Sequence, residues 1–377
     1  MFDDFNPFAL NSYFGPEYFC DREDEIKSLL TNVKNINSTT IISQRRMGKT
    51  SLIQHLFSSL PKKHIGINID IFATNNRREL LNALTTAIAT KVPANSSFGK
   101  RVWDFIRSLQ PNISFDPLTG SPQVSINITT PDNDNYIESI FNFLEKQPQK
   151  IVIAIDEFQQ ILNYPEQDTD VWLRTFIQRL NNVTFIFSGS STHLMSEIFS
   201  NPARPFFRST QFIYLKNIDS EIYTRFIIKH FKKGKKKISA SVVQQILNWT
   251  HGHTYYVQAV CSKIYDMPVT EINNQTWKSA AADILKEEEN IFMKFRDLLP
   301  TKQWQLLNAI AIESKVHQPT SGAFISKYNL GASATAIRAL KALIYKDMIY
   351  IGNDEENKKY YATNDVFFER WAQWRNY

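Results

Sequence analysis

Cysteine is nearly absent: Cys20 and Cys261 are the only two in 377 residues, without CxxC spacing or companion histidines. Neither a disulfide framework nor a zinc site is therefore expected, and both thiols should be buried. No run of about eighteen apolar residues occurs, so no spanning helix is expected. The early residues MFDDFNPFAL are acidic rather than basic, which speaks against a secretory signal and makes the cytoplasm the expected compartment. What the chain does have is core material. Hydrophobic residues make up 43%, and the length calls for two or three domains. A net charge of +6 and a pI near 9.0 favour contact with polyanions. Much of that excess lies in Lys232-Lys233-Gly234-Lys235-Lys236-Lys237, expected to be a solvated loop.

The stretch around which the rest is organised is SQRRMGKT, Ser43 to Thr50. It follows the apolar run Thr39-Thr40-Ile41-Ile42 and precedes the helical pattern Ser51-Leu52-Ile53-Gln54-His55-Leu56-Phe57. Strand, loop and helix in that order are the context of a phosphate-binding loop, G-x-x-x-x-G-K-[ST]. The backbone of Ser43, Gln44, Arg45, Arg46, Met47, Gly48, Lys49, Thr50 and Ser51 would surround a triphosphate at the positive end of the helix. Lys49 would reach the outer phosphates and Thr50 would hold Mg²⁺. Ser43 departs from the pattern, standing where a glycine normally supplies the turn.

A second motif supports the first. Ile151-Val152-Ile153-Ala154-Ile155 is an unbroken apolar run ending in Asp156-Glu157. Continuous apolar residues are the mark of a strand buried on both faces in a parallel sheet, and open α/β sheets bind ligands at carboxyl ends of strands. Asp156 is the candidate for Mg²⁺, and Glu157 for orienting or activating the attacking water. A further strand, residues 183–187, ends in Ser188-Gly189-Ser190-Ser191, which makes Ser190 a candidate sensor of the γ-phosphate. The rigid aromatic turn Pro202-Ala203-Arg204-Pro205-Phe206-Phe207-Arg208 then presents two arginines before a strand at 212–215.

Elsewhere acidic residues load the first turn of a helix expected to run to about residue 33 with Asp21 as its cap, and Arg22 is a candidate to flank a nucleotide base. A strand at 64–72 and a helix at 78–91 follow. Residues 93–134 break the pattern and read as an inserted hairpin around a Pro/Gly turn. Helices are expected near 136–146 and 171–180. From Ile218 the β signal stops, and helices at 220–232, 239–249 and 254–265 form a helical lid with a break at His251-Gly252-His253-Thr254. Helices at 302–314, 322–328 and 332–346, with short strands at 349–351 and 359–362, make a winged helix.

In order, Phe19-Cys20-Asp21-Arg22-Glu23, SQRRMGKTSLI, IAIDEFQ, FSGSS, PFFRS, GHTYYVQ and the terminal Asn364-Asp365-Val366-Phe367-Phe368 resemble archaeal-type ATPases of the STAND division of P-loop NTPases, which stand close to the AAA+ origin-recognition initiators. The resemblance implies an α/β fold: a P-loop NTPase three-layer parallel sheet core with a helical lid and a C-terminal winged-helix domain. The division would be 1–37 leader and base-flanking helix, 38–216 core with the 93–134 insertion, 217–290 lid and 291–377 winged helix. It implies ATP and Mg²⁺ as ligands, Asp156 and Glu157 as the Walker B pair, Arg208 as the arginine after the sensor strand and His253 in the lid's nucleotide-sensing turn. Lys49, Glu157 and Arg208 would be the catalytic residues. Asp21 replaces the glycine of the family's first box, and Thr254 stands where proline is common. The implied function is an ATP-dependent molecular switch in regulation or genome defence and maintenance. The alternatives are an ATP-dependent DNA-binding protein, reading DNA through Ser333, Thr335, Arg338 and Lys341, and a nucleotide-binding scaffold without turnover. A homo-oligomer, DNA and an unidentified protein are the candidate partners, and no membrane is expected.

Overall fold

The computed structural model describes residues 5–8, 10, 13–91, 97–109, 111–117, 120, 122–125 and 133–375. It divides into two compact units, Arg22–Lys216 and Met1–Asp21 with Asn217–Tyr377. In the first unit, the apolar runs become parallel strands: β1 (Thr39–Ile42), β2 (His64–Asp70), β5 (Lys150–Asp156), β6 (Val183–Gly189) and β7 (Gln211–Tyr214). Their order in the sheet is β2-β5-β6-β1-β7, all pairs parallel. Between them in sequence lie α1 (Glu23–Lys34), α2 (Lys49–Ser59), α3 (Arg77–Lys91), α4 (Ser97–Ser108), α5 (Asn133–Glu145), α6 (Thr169–Ile177) and α7 (Thr192–Ser200).

The unbroken hydrophobicity of β5 and β6 follows from burial on both faces. Ile151, Ile153 and Ile155 join Val183, Phe185 and Phe187 in one apolar cluster with α3 and α5, while Val152, Ala154 and Ile186 are fully buried on the opposite face. Helices thus cover both sides of a central parallel sheet, as a continuous apolar strand requires.

Within the expected insertion, residues 93–96, 110, 118, 119, 121 and 126–132 lie outside the described residues. The hairpin is present as β3 (Asn112–Phe115) paired antiparallel with β4 (Pro122–Ser125). The helix α4 was not expected, because residues 93–134 read as an inserted hairpin around a Pro/Gly turn. Phe98, Val102 and Ile106, spaced by four, bury its inner face and override that local signal. Asp21 is not the cap of α1. Arg22 holds the N-cap position, and both residues lie in the left-handed region, Asp21 with φ 62° and Arg22 with φ 80°. Aspartate tolerates that backbone better than most side chains, which is why it can stand in for a glycine there.

The second unit has its own core. It contains α8 (Ser220–Lys233), α9 (Ala240–Trp249), α10 (Thr254–Asp266), α11 (Asn274–Leu298), α12 (Thr301–Glu313), α13 (Gly322–Lys327), α14 (Ser333–Tyr345) and α15 (Val366–Arg375). The winged-helix hairpin is β10 (Ile349–Asn353) antiparallel to β11 (Lys359–Thr363), extended by a bridge from Val316 to Tyr361. Helix α11 runs unbroken for 25 residues through position 290, where the sequence reading divides lid from winged helix. The lysine run is not a simple solvated loop. Lys232 and Lys233 complete α8, Lys236 Nζ donates to the Met267 and Val269 carbonyls, and Lys237 opens β8 (Lys237–Ile238), which pairs with β9 (Glu271–Ile272). Both cysteines are buried.

Candidate active site

The strand register collects the polar ends of four strands in one row. Asp70 pairs with Asp156, Ile155 with Phe187, and Ile41 with Ser188. The carboxyl ends of β2, β5, β6 and β1 therefore lie side by side, and the loop Ser43–Gly48 leaves β1 at that edge. Gly48 has φ 91°, a conformation that favours glycine, and N-caps α2 without any side-chain hydrogen bond. The first amides of α2 are thus left uncapped by side chains, at the positive end of the helix, which is what an anionic ligand needs.

Lys49 is buried, and its Nζ points back into the loop, donating to Ser43 Oγ at 3.4 Å and to the Gln44 carbonyl at 3.3 Å. Ser43 in turn donates to the Gln44 carbonyl at 2.9 Å and has no positive φ. Serine at the first loop position consequently costs no left-handed strain and supplies an acceptor for the loop lysine. Gln44 and Gly48 are half-buried, Met47 is buried, and Arg45 and Arg46 are exposed, the latter with φ 63°.

Asp156 joins the two motifs. Its Oδ2 accepts from Thr50 Oγ1 at 2.7 Å across a separation of 106 residues, and its Oδ1 accepts from Ser188 Oγ at 2.7 Å. Glu157 follows in a left-handed conformation, φ 56°, a strained backbone of the kind found at sites that hold a side chain for use. Its Oε2 accepts from Gln159 Nε2 at 2.5 Å and from Ser190 Oγ at 2.8 Å. A Cβ on Gly189 would lie 2.1 Å from Gln159 Oε1, so only glycine lets this glutamine approach. Asp70 completes an acidic group. Burial raises its pKa, and the charges of Asp156 and Glu157 raise it further, against a hydrogen bond from the Phe72 amide.

Three contributors were missed in the sequence. Ser188 is fully buried beside Asp156, Gln159 lies two residues beyond Glu157, and Asp70 sits at the end of β2. The small polar residues after the strand pointed to Ser190, but the row shared with Asp156 is set by pairing register, which no single strand displays.

Arg22 Nη1 pairs with Glu25 Oε1 at 2.9 Å and Nη2 donates to the Lys216 carbonyl at 2.7 Å. His253 belongs to the other unit, where it precedes α10 and its ring lies 4.8 Å from that of Tyr256. Arg208 is exposed and lies three residues before β7, beside Ser38 and Val183, the residues at the amino ends of β1 and β6. The sequence leaves open whether Arg208 contacts phosphate in its own subunit or in a neighbour's, and the fold sets its backbone at the amino end of β7, the end opposite the phosphate loop. A four-residue strand separates it from the phosphate loop by roughly 13 Å or more at 3.3 Å per residue.

A family of ATPase domains found predominantly in Archaea matches residues 19–260. The chain belongs to this family. A winged helix domain family matches residues 290–374. The fold is shared with solved structures of low sequence identity. The Walker-type ATPase of Pyrococcus abyssi is 16% identical, with TM-score 0.69, over 97% of this chain and 99% of that one. The Aeropyrum pernix ORC2 protein, solved as ADPNP-ADP complexes, is 12% identical with TM-score 0.63, over 99% and 98%. The Aeropyrum pernix ORC1 protein in complex with DNA is 12% identical with TM-score 0.53, over 98% and 96%. Among curated proteins none matches. The chain is a P-loop ATPase with a C-terminal winged helix domain.

Proposed function

We propose that this ATPase is a molecular switch of the STAND and AAA+-like type, acting in regulation or in genome defence and maintenance. The observation that carries the reading is the contact of Thr50 with Asp156 beside the buried Lys49, which assembles both halves of a nucleotide site in one chain. ATP is the proposed substrate. Uncapped amides of α2 and the Lys49 ammonium would bind its phosphates. Thr50 and Asp156 present a hydroxyl and a carboxylate oxygen, the hard donors that Mg²⁺ takes together with water and phosphate. A bound Mg²⁺ would neutralise charge on the outer phosphates. Glu157, fixed by Gln159 and Ser190, orients the attacking water and takes up its proton. Ser190 touches Glu157 directly, so we assign it to coupling the γ-phosphate end of the site to that carboxylate. Arg22, with its guanidinium engaged by Glu25 and Lys216, shapes the wall beside the base rather than reaching it. His253 is assigned to nucleotide sensing in the lid, and Arg208 to a neighbouring chain's nucleotide in a homo-oligomer.

A second reading is DNA binding through the winged helix. Ser333, Arg338 and Lys341 are exposed along α14 and Thr335 is half-buried, and the Aeropyrum pernix ORC1 structure holds DNA. Against it, the hairpin turn carries Asp354, Glu355 and Glu356, which repel a phosphate backbone. We place the chain in the cytoplasm. Among the described residues no helix is long and apolar enough to cross a membrane. ATP hydrolysis measured with and without duplex DNA, beside a Glu157→Gln control, separates the readings. Turnover that is independent of DNA and lost in the control supports the switch with an unidentified protein partner. Turnover that rises with DNA supports the second reading, and none under either condition leaves only a nucleotide-binding scaffold.

A further inference from the structure

The lysine run and the helix before it carry charge that the nucleotide site does not use. From Ile222 to Ile238 the chain has Arg225, Lys229, Lys232, Lys233, Lys235, Lys236 and Lys237 and no aspartate or glutamate. Lys233 is engaged by Glu17, Lys237 by Glu271, and Lys236 by the Met267 and Val269 carbonyls. Arg225, Lys229, Lys232 and Lys235 are exposed, and among the described residues no carboxylate forms an ion pair with any of them.

These four cations form a row. Arg225, Lys229 and Lys232 follow at intervals of four and three residues, which puts them on one face of α8, about 6 Å and about 4.5 Å apart along its axis. The Lys235 amide donates to the Lys232 carbonyl at 3.0 Å and continues the row past the helix end. On the opposite face Tyr223, Ile227 and Phe231 are buried in the core, so the row has a fixed support. Like charges at this spacing weaken a helix. Attraction to the negative end of α8 offsets that cost only in the last turn, which holds Lys232 but neither Arg225 nor Lys229.

Exposed aromatic rings stand beside the row, on the segment that precedes α1. That segment is pinned to α8 and α10: the buried Phe8 ring lies 5.1 Å from Phe231, Asn6 Nδ2 donates to the Ser262 carbonyl at 3.1 Å, and Tyr18 stacks on His230 at 5.6 Å. Phe5 meets Phe14 edge-on at 4.7 Å and Tyr18 at 5.4 Å, yet Phe5 and Phe14 stay 40% and 46% exposed. Cations that track a backbone and rings on which unpaired bases stack are the two parts of a single-strand binding surface. An anionic membrane would instead take up an apolar helix face, and that of α8 lies in the core. We propose that the outer face of α8, with Phe5 and Phe14, binds single-stranded nucleic acid, the cations along the sugar-phosphate backbone and the rings against bases. DNA and RNA share this chemistry. The surface uses no residue of the phosphate loop, of α14 or of the β10–β11 hairpin, so it stands or falls apart from both readings of function above.

The probe is a fluorescently labelled single-stranded oligonucleotide of mixed sequence, in deoxy and ribo forms, titrated with the full-length chain at several salt concentrations and followed by anisotropy. Saturable binding is expected, tighter than to the duplex of the same sequence, and the form bound more tightly identifies the source. The slope of log K against log salt should flatten by about 0.7 for each of Arg225→Gln, Lys229→Gln, Lys232→Gln and Lys235→Gln. Phe14→Ala should weaken binding about fivefold or more with the slope unchanged, since it removes a stacking ring and no charge. All of these side chains are exposed, so the variants should fold. No saturable binding, a duplex bound as tightly as the single strand, or a slope that the glutamine variants leave unchanged overturns the proposal. Binding lost instead in Arg338→Gln with Lys341→Gln would move the contact to α14 and overturn it as well. Tighter binding to phosphatidylserine vesicles than to the oligonucleotide, lost in the same α8 variants, would replace nucleic acid by a membrane surface.

Discussion

Lys49 offers the most direct test at the scale of single residues. A ligand that binds only the folded chain adds about 2.7 kcal/mol at a hundredfold excess over Kd, so Mg-ATP should raise the melting temperature of the wild type. Lys49→Ala should remove that rise, since it deletes the charge that offsets the outer phosphates, and an equal rise in the variant would refute the assignment. Glu157→Gln should behave differently. The amide keeps the shape and can still meet Ser190, so ATP should bind while turnover falls by about 10²-fold or more, the share of a positioned base. Hydrolysis within about twofold of wild type in a single-turnover assay would free Glu157 from that role. Lys49, Thr50, Asp156 and Glu157 were legible because each belongs to a short motif whose chemistry demands that residue type. Ser188 and Gln159 were not, because their value comes from what pairing places next to them.

Among elements, α15 carries a consequence in the second unit. Its buried Glu369 accepts from His251 Nε2 at 2.8 Å and from Ser314 Oγ at 2.6 Å, tying the turn between α9 and α10 to the winged helix. Arg370 reinforces the tie through the Trp249 carbonyl. Burial raises the Glu369 pKa, but the hydrogen bond and charge of His251, with Ser314 and Arg370, outweigh it and hold the carboxyl below its ordinary value. A depressed folded-state pKa adds stability above the unfolded value and loses it as pH falls through the folded one. Glu369→Gln should therefore destabilise the chain at pH 7 by about 1–3 kcal/mol. That difference should shrink once the pH falls below about 4, the range where an unfolded glutamate protonates. Urea denaturation at pH 7 and at pH 3.5 checks this, and a constant difference would show that the carboxylate charge contributes nothing. The helices α8, α9, α10, α12 and α14 were visible as apolar periods. The continuity of α11 was not, since residues 286–290 are almost uniformly charged or polar and carry no period. Burial of Ile284, Leu285 and Phe292 on either side carries the helix through.

For the whole molecule, the placement of Arg208 makes a prediction about assembly. It lies at the end of its own sheet opposite the phosphate loop, and we propose that it acts on a neighbour's nucleotide. Activity per chain should then rise with protein concentration, and an inactive Lys49→Ala chain that retains Arg208 should rescue an Arg208→Ala chain when the two are mixed. Loss of a phosphate-stabilising arginine should cost on the order of 10³-fold in turnover, and near-normal turnover in Arg208→Ala would dismiss the residue. The sequence by itself determined the kind of protein this is. Hydrophobic period separates sheet from helix, and a phosphate loop or a strand ending in two carboxylates is legible because its chemistry is local. Only the tertiary structure decided which strands lie side by side, and hence that Ser188 and Asp70 flank Asp156 while Arg208 is set at the far edge. Strand order and register depend on contacts between residues far apart in the chain, where β6 enters between β1 and β5, and no local pattern of residue types encodes that insertion.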